Sequence, residues 1–280
     1  MEHKNIKLIA FDLDGTLFND KKEVTLYTLK TLERAVSMGI EIVPVTGRLL
    51  PAIPENVKSM NFIRYVVTMN GADIIDIKNS KSLKRFEIPP ERAALMIKVF
   101  SEIPDIIYDS IIDGRGYMEK EQYENIPDFM IGEWQTELVR SFRSPVEGIS
   151  LSDFILKKNS GIQKMQIYTL NKTLRENLLK SLPVVFQKSL FTSSIENNIE
   201  INDLLANKGE GLRYIAEYLN IPIENTISFG DGLNDFGLIK AAGVGVAMGN
   251  AIDELKAEAD YVTCSNEDDG VAKGIEKFCF

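Results

Sequence analysis

Two aspartates, two residues apart, close an apolar run near the start of this chain. Leu8-Ile9-Ala10-Phe11 leads into Asp12-Leu13-Asp14, and Gly15-Thr16-Leu17 follows at once. An apolar run bounded in this way predicts a strand buried on both faces. Alternation along a strand puts Asp12 and Asp14 on the same side, and Gly15 lets the chain turn away. The pair then stands at the C-terminal edge of a sheet, where open α/β folds place their sites. Two like charges this close are costly unless a cation neutralises them. The pattern asks for a metal ion and leaves a carboxylate to act as nucleophile.

A second stretch far along the chain has the same logic. Thr226-Ile227-Ser228-Phe229 breaks into Gly230-Asp231-Gly232-Leu233-Asn234-Asp235. Two glycines suit a tight loop, and Asp231, Asp235 and Asn234 add oxygen donors to it. A donor set of oxygens alone suits a hard cation, and Mg²⁺ with bound waters is the natural choice.

The elements that must carry these residues follow from periodicity. Strands are predicted at Leu8–Phe11, 41–45 and Tyr65–Thr68, with a helix over 25–39 closed by Gly39 and another around 51–60. Asn70-Gly71 signals a turn, and 72–77 with 83–88 reads as a hairpin. This order implies a parallel sheet with right-handed crossovers. After Ile88 the texture changes. Pro89-Pro90 precedes a helix, strands are predicted over 106–113, 116–120, 162–170 and 184–187, and 171–182 is helical; 123–134 carries little periodic signal. Two helices with several antiparallel strands suggest a separate α+β domain. The α/β pattern then returns, with a short strand over 199–201, a helix from Lys208 capped by Asn207, a strand over 227–229 and a terminal helix over 271–278. The expected fold class is α/β: a Rossmann-like core from residues 1–84 and 190–280, with an α+β cap inserted as 85–189.

Composition narrows the chemistry. The 280 residues, 44% hydrophobic, are ample for a packed core. A formal net charge of −9 makes the chain a poor candidate for binding nucleic acid or an anionic membrane. No apolar run approaches the ~18 residues needed to span a bilayer. Two cysteines without metal-like spacing fit a reducing compartment, and no secretory pattern precedes the first strand, so the expected location is the cytoplasm. The single histidine, His3, lies at the extreme N-terminus. A Ser-His-Asp group would need a histidine in the body of the fold, so acid–base work falls to carboxylates, lysines or tyrosines.

With these residues in view, the chain resembles the haloacid dehalogenase superfamily of phosphohydrolases. The D-x-D-G-T pattern is Asp12 to Thr16. A strand ending in a hydroxyl residue matches Ile42-Val43-Pro44-Val45-Thr46-Gly47-Arg48. A lysine opening a helix matches Lys208-Gly209-Glu210-Gly211, and G-D-x-x-N-D is Gly230 to Asp235. The tail Ala241 to Ala251, with Gly249-Asn250-Ala251 at its end, is similar to the Cof-type branch (subclass IIB, with a large C2B-like cap) of sugar-phosphate phosphatases. The likeness covers the chain in order, its middle third in length and element pattern more than in residues. The run 202–207 before Lys208 and Gly237-Leu238 after Asp235 depart from that branch.

The resemblance implies a Mg²⁺-dependent phosphomonoester hydrolase acting on a small phosphorylated metabolite through an aspartyl-phosphate. It makes Asp12 the nucleophile and Asp14 the general acid and base. Asp12, Asp231 and the backbone carbonyl of Asp14 become the metal ligands. Thr46, Gly47, Lys208 and Asn234 become phosphate contacts, Lys208 also pairing with Asp12. Asp235, Arg48 and Asn70 have supporting places. Within the cap, Tyr108, Asp113, Arg115, Tyr117, Tyr123 and Trp134 are candidates to face substrate. Two alternatives stand beside the hydrolase: a phosphomutase or phosphotransferase with the same intermediate, and a ligand-binding protein without turnover. Oligomeric state is not encoded in any pattern seen here.

Overall fold

The chain's short apolar runs become fourteen strands in the computed structural model, which describes residues 5–280; His3 lies outside the described residues. The first five are β1 (Leu8–Phe11), β2 (Glu41–Pro44), β3 (Tyr65–Thr68), β4 (Asp73–Asp76) and β5 (Lys81–Arg85). Then follow β6 (Ile107–Ile112), β7 (Arg115–Glu119), β8 (Arg143–Val146), β9 (Ile162–Tyr168), β10 (Ser189–Thr192) and β11 (Asn198–Asp203). The last are β12 (Thr226–Gly230), β13 (Val244–Ala247) and β14 (Tyr261–Val262). The chain divides into two compact units. The first takes the described residues up to Arg48 with Ile53–Arg85 and Asn207–Phe280; the second takes Leu49–Ala52 and Phe86–Ala206. No helix among the described residues is long and apolar enough to cross a membrane.

The first unit is built on a parallel sheet in the order β14-β13-β12-β1-β2. Its inner strand β1 is buried throughout, as a strand covered on both faces must be. A bridge between Val45 and Val67 links the end of β2 to β3, which forms an antiparallel sheet with β4 and β5. Register matters most between β1 and β12. Phe11 stands beside Phe229, and the Asp12 amide donates to the Phe229 carbonyl at 3.1 Å. Both strands therefore stop at the same level, and the acids that follow them emerge at one sheet edge. The helix Lys208–Tyr218 is capped by the Asn207 side chain, which accepts from the Glu210 amide at 3.0 Å. Its Gly209 packs so closely on the helix Phe236–Ala241 that an added Cβ would strike the Gly237 carbonyl. That contact fixes how deep Lys208 sits.

The second unit carries a six-stranded sheet in the order β10-β11-β9-β6-β7-β8, antiparallel except for β7 with β8. Alternation divides its side chains. Tyr108, Ile112, Met165, Ile167, Ile199 and Ile201 join an apolar cluster with residues of the helices Pro90–Phe100, Leu151–Lys158 and Lys172–Val185. The opposite face carries buried charged groups as well as the apolar Ile107, Met118 and Tyr168. There Arg143 Nε donates to Asp109 Oδ2 at 2.8 Å, and Lys164 Nζ stands 2.7 Å from Glu200 Oε1, with all four side chains buried.

The structure departs from the sequence reading at several points. Residues 190–206 belong with the second unit, because Ile199 and Ile201 face its apolar cluster and β11 pairs with β9. No strand forms over 184–187. Leu178, Leu182 and Phe186 hold helical spacing into the same cluster and draw the helix on to Val185, so the strand starts only at Ser189. The stretch 123–134, featureless in sequence, lies in short helices over Lys120–Glu124, Ile126–Phe129 and Gly132–Ser141. Their Ile126, Met130 and Val139 form a second apolar cluster. The helix expected around 51–60 is two short turns, Leu50–Ala52 and Glu55–Lys58, parted at Pro54.

Substituting Gly209→Ala should lower stability by about 1–3 kcal/mol, since the new methyl group must push apart two helices through a backbone carbonyl. Urea unfolding would measure it. An unchanged midpoint would mean that the helices can separate freely.

Candidate active site

The turn after β1 is tight. The Leu17 amide donates to the Asp12 carbonyl at 3.2 Å and the Phe18 amide to the Leu13 carbonyl at 2.9 Å. Gly15 sits at φ +77, and an added Cβ there would strike the Asp231 carboxylate. Only glycine satisfies both conditions. The loop after β12 is held by Asp235, whose Oδ2 accepts from the amides of Asp231 at 2.9 Å and Gly232 at 3.0 Å.

Lys208 joins the two loops. Its ammonium is wholly buried, 2.8 Å from Asp12 Oδ1 and 2.6 Å from Asp235 Oδ1. Burial alone would depress its pKa, but Asp12 and Asp235 outweigh burial and hold it above its usual value. Asp12 moves the other way from a normal carboxylate. Burial raises its pKa strongly, Lys208 offsets part of this, and Asp235, Asp231 and Asp14 add to the rise. Asp231 is pushed up to about 6, by burial first and then by Asp235, against the Thr16 hydroxyl that donates to its Oδ1 at 2.8 Å.

Asp14 has different company. Arg48 donates to it through Nε at 2.6 Å and Nη2 at 2.8 Å, and Lys22 Nζ through a third bond at 3.0 Å. Burial opposes ionisation here, but the two cations win and lower its pKa to about 2. Thr46, buried just past β2, accepts at Oγ1 from the Arg48 amide at 3.1 Å across Gly47. Its carbonyl accepts from the Asn70 amide at 3.0 Å, and Asn70 Oδ1 accepts from Asn234 Nδ2 at 3.2 Å. Asn70 occupies a left-handed turn at φ 59.

The structure thus brings Asp12, Asp231, Asp235 and Lys208 into one cluster, chains Thr46, Asn70 and Asn234 together, and pairs Asp14 with Arg48. Lys22 was not anticipated; an exposed lysine in a loop leaves no mark in spacing. In the second unit, Tyr108 and Tyr117 pack on the helix-covered apolar cluster and Tyr123 on the other, so these three build the unit's own core.

Residues 9–275 match the haloacid dehalogenase-like hydrolase family. The chain belongs to that family. It is 33% identical over 276 residues to the 5-amino-6-(5-phospho-D-ribitylamino)uracil phosphatase YcsE of Bacillus subtilis, covering 98% of this chain and 96% of the relative. It is 32% identical to the phosphatase YwpJ of the same organism, covering 95% and 98%. Among solved structures, a haloacid dehalogenase-like hydrolase from B. subtilis superposes with a TM-score of 0.82 at 27% identity, over 97% of this chain and 99% of the other. The subclass IIB sugar phosphatase BT4131 superposes with a TM-score of 0.79 at 25% identity, over 98% and 99%.

The donors of this haloacid dehalogenase-like site fit a divalent cation. Asp12, Asp231 and Asp235 present oxygens within 4.8 Å of one another. Asp235 is a poor direct ligand, because Lys208 and two backbone amides already occupy its oxygens. Asp12 and Asp231 each give one oxygen to Lys208 or Thr16 and keep the second. Oxygen donors of this charge suit Mg²⁺, and the neighbouring carboxylates add to the rise that burial causes in their pKa values. The Asp14 carboxylate lies outside this set.

The raised pKa of Asp231 predicts a pH dependence. The folded protein binds a proton there more tightly than the unfolded chain, whose aspartates titrate near about 3.9. The metal-free protein therefore loses stability from this group as pH rises from about 4 to about 6. A divalent cation competes with that proton. Added Mg²⁺ should raise the melting temperature more at about pH 8 than at about pH 5. Thermal melting in Mg²⁺ and in EDTA at both values checks this, and an equal rise would exclude Asp231 from the cation's ligands.

Proposed function

We propose that the protein is a Mg²⁺-dependent phosphatase that cleaves monoesters of small phosphorylated metabolites through an aspartyl-phosphate. The observation that carries this reading is the buried Lys208 ammonium, which holds the Asp12 carboxylate in place at the edge of the parallel sheet. An oriented carboxylate at that edge, freed of its proton once a cation offsets the neighbouring acids, is a ready nucleophile. One of its oxygens bonds to phosphorus as the ester bond to the leaving oxygen breaks. Asp14 gives that oxygen a proton. Asp14 then takes a proton from water as the water oxygen attacks phosphorus, the Asp12–phosphate bond breaks and inorganic phosphate leaves. Asp12, Asp231 and the Asp14 carbonyl would hold Mg²⁺, which supplies positive charge for the phosphoryl oxygens when bound. Thr46, the Gly47 amide, Lys208 and Asn234 bind the phosphate.

Asp14 can be an acid only after it leaves its two cations. With its pKa held at about 2, it carries no proton near neutral pH. The relatives support a substrate class. One acts on a phosphorylated ribityl chain and another is a sugar phosphatase, so phosphate esters of polyhydroxylated chains are the first substrates to try. The unpaired cysteines Cys264 and Cys279 support a cytoplasmic location.

The decisive experiment is phosphate release from a panel of sugar phosphates, polyol phosphates, nucleotides and an aryl phosphate, in Mg²⁺ and in EDTA. Asp12→Asn should cut turnover by about 10³-fold or more on every compound. Transfer of phosphate to an added sugar with little free phosphate would favour a mutase or transferase, and no turnover on any compound would leave a binding protein. Asp14→Asn should separate leaving groups in the first step, read as the single-turnover rate at which Asp12 is phosphorylated, because the later attack of water needs Asp14 as base whichever group has left. A sugar phosphate should lose about 10²–10⁴-fold, the usual contribution of a general acid, and an aryl phosphate much less, because its phenolate departs without a proton. Equal losses on both would remove Asp14 from the acid role.

A further inference from the structure

The Gly249-Asn250-Ala251 stretch has no part in the chemistry above, yet it touches both catalytic loops. The turn after β13 docks on the end of β12. The Met248 amide donates to the Gly230 carbonyl at 3.0 Å and the Ile252 amide to the Asp231 carbonyl at 3.1 Å. Between these anchors Asn250 reaches across to the other loop, and its Nδ2 donates to the Gly15 carbonyl at 2.8 Å. Its Oδ1 accepts from the Asn266 amide at 3.0 Å. Asn266 continues the chain, with Nδ2 donating to the Phe18 carbonyl at 3.0 Å and to Asp20 Oδ1 at 3.3 Å. Glu267 accepts from the Asp20 amide at 2.5 Å.

Gly15 is where this matters. Its backbone lies against the Asp231 carboxylate with room for nothing larger than hydrogen. Its neighbour Thr16 donates to that same carboxylate. It lies three positions after Asp12, so a shift of Gly15 changes the gap between Asp12 and Asp231. We propose that Asn250 is a positioning residue for the cation site: the hydrogen bond its side-chain Nδ2 donates to the Gly15 carbonyl sets the separation across which Asp12 and Asp231 share a divalent cation. This rests on the Mg²⁺ reading of the proposed function. The amide is needed because its two ends do opposite jobs, one donating to a carbonyl and the other accepting from an amide. Aspartate has the same shape but would set an acceptor against the Gly15 carbonyl.

The test uses the full chain without substrate. Mg²⁺ binding is measured by titration calorimetry, hydrogen exchange over residues 12–20 by mass spectrometry in EDTA, and melting in EDTA. Asn250→Asp and Asn250→Ala should each weaken Mg²⁺ by about tenfold or more, the usual cost of losing a partner behind the ligands, and speed exchange over 12–20. Asn266→Ala leaves the Gly15 bond in place. It should speed exchange around Phe18 while keeping Mg²⁺ affinity within about threefold, and it serves if the Asn250 variants do not fold. An Asn250→Asp protein that melts lower but binds Mg²⁺ as the parent does would reduce Asn250 to a structural tie and overturn the proposal. Unchanged exchange over 12–20 would do the same, as would an Asn266→Ala protein that loses Mg²⁺ as severely as Asn250→Asp. A parent protein that binds no Mg²⁺ would overturn the metal reading itself, and that failure is recognised before any substitution is made.

Discussion

A buried ammonium between two buried carboxylates governs this molecule. Lys208 is fully enclosed, within 3 Å of both Asp12 and Asp235. Removing one partner from such a group leaves an uncompensated buried charge, which typically costs about 3–5 kcal/mol. The same contact ties three distant segments of chain to one point. The charge account of the cluster is incomplete, however. Three carboxylates and one ammonium leave two negative charges at the sheet edge. Burial pushes Asp12 and Asp231 toward protonation first, the neighbouring carboxylates add to that push, and one divalent cation would cancel the two charges.

The parallel sheet makes this concentration of charge possible. In a parallel sheet every strand ends at the same edge, so residues that follow different strands meet there without any specific long loop. Here β1 and β12 are neighbours in register, and their terminal acids share an edge because the strands share a direction. Glycine then lets the loops close on each other, Gly15 against the Asp231 carboxylate and Gly209 against a neighbouring helix. The lysine comes from a helix start rather than a strand end. It reaches the centre because Asn207 caps that helix while the residue after the cap turns inward.

What the sequence makes visible follows from the same physics. Strand-end acids next to glycine are readable because few other arrangements tolerate them, and Asp12, Asp14, Asp231 and Asp235 stand out for that reason. Lys208 is readable only through its helix start and its order along the chain. That the first and last segments build one sheet follows from alternation of strand and helix, but the return point does not. Residues 198–203 alternate isoleucine with polar side chains, a pattern that fits a strand in either unit. Only the apolar cluster on which Ile199 and Ile201 close assigns them to the second. The buried charges of that unit are hidden for a related reason: Asp109, Lys164 and Glu200 look like surface residues until their partners are known. Partner choice across a fold is a property of three dimensions, and Lys22 beside Asp14 is another instance of it.

The pairing of Asp14 shows how one geometry can hold a residue away from its own chemistry. A carboxylate with a pKa of about 2 is stabilised as an anion, whereas an acid must carry a proton at working pH. The two cations do not restrain it equally. Lys22 and Asp14 are both more than a third exposed, and exposed pairs contribute at most about 1 kcal/mol. Arg48 is largely buried and engages both carboxylate oxygens, a fork that a point charge cannot replace. Release of Asp14 is therefore mainly release from Arg48. Arg48 is also tied through its amide to the Thr46 hydroxyl, so whatever reorganises the Thr46 turn acts on the guanidinium as well. The acid role and the phosphate-binding turn are then coupled through one arginine, which gives its position directly after Thr46-Gly47 a physical reason.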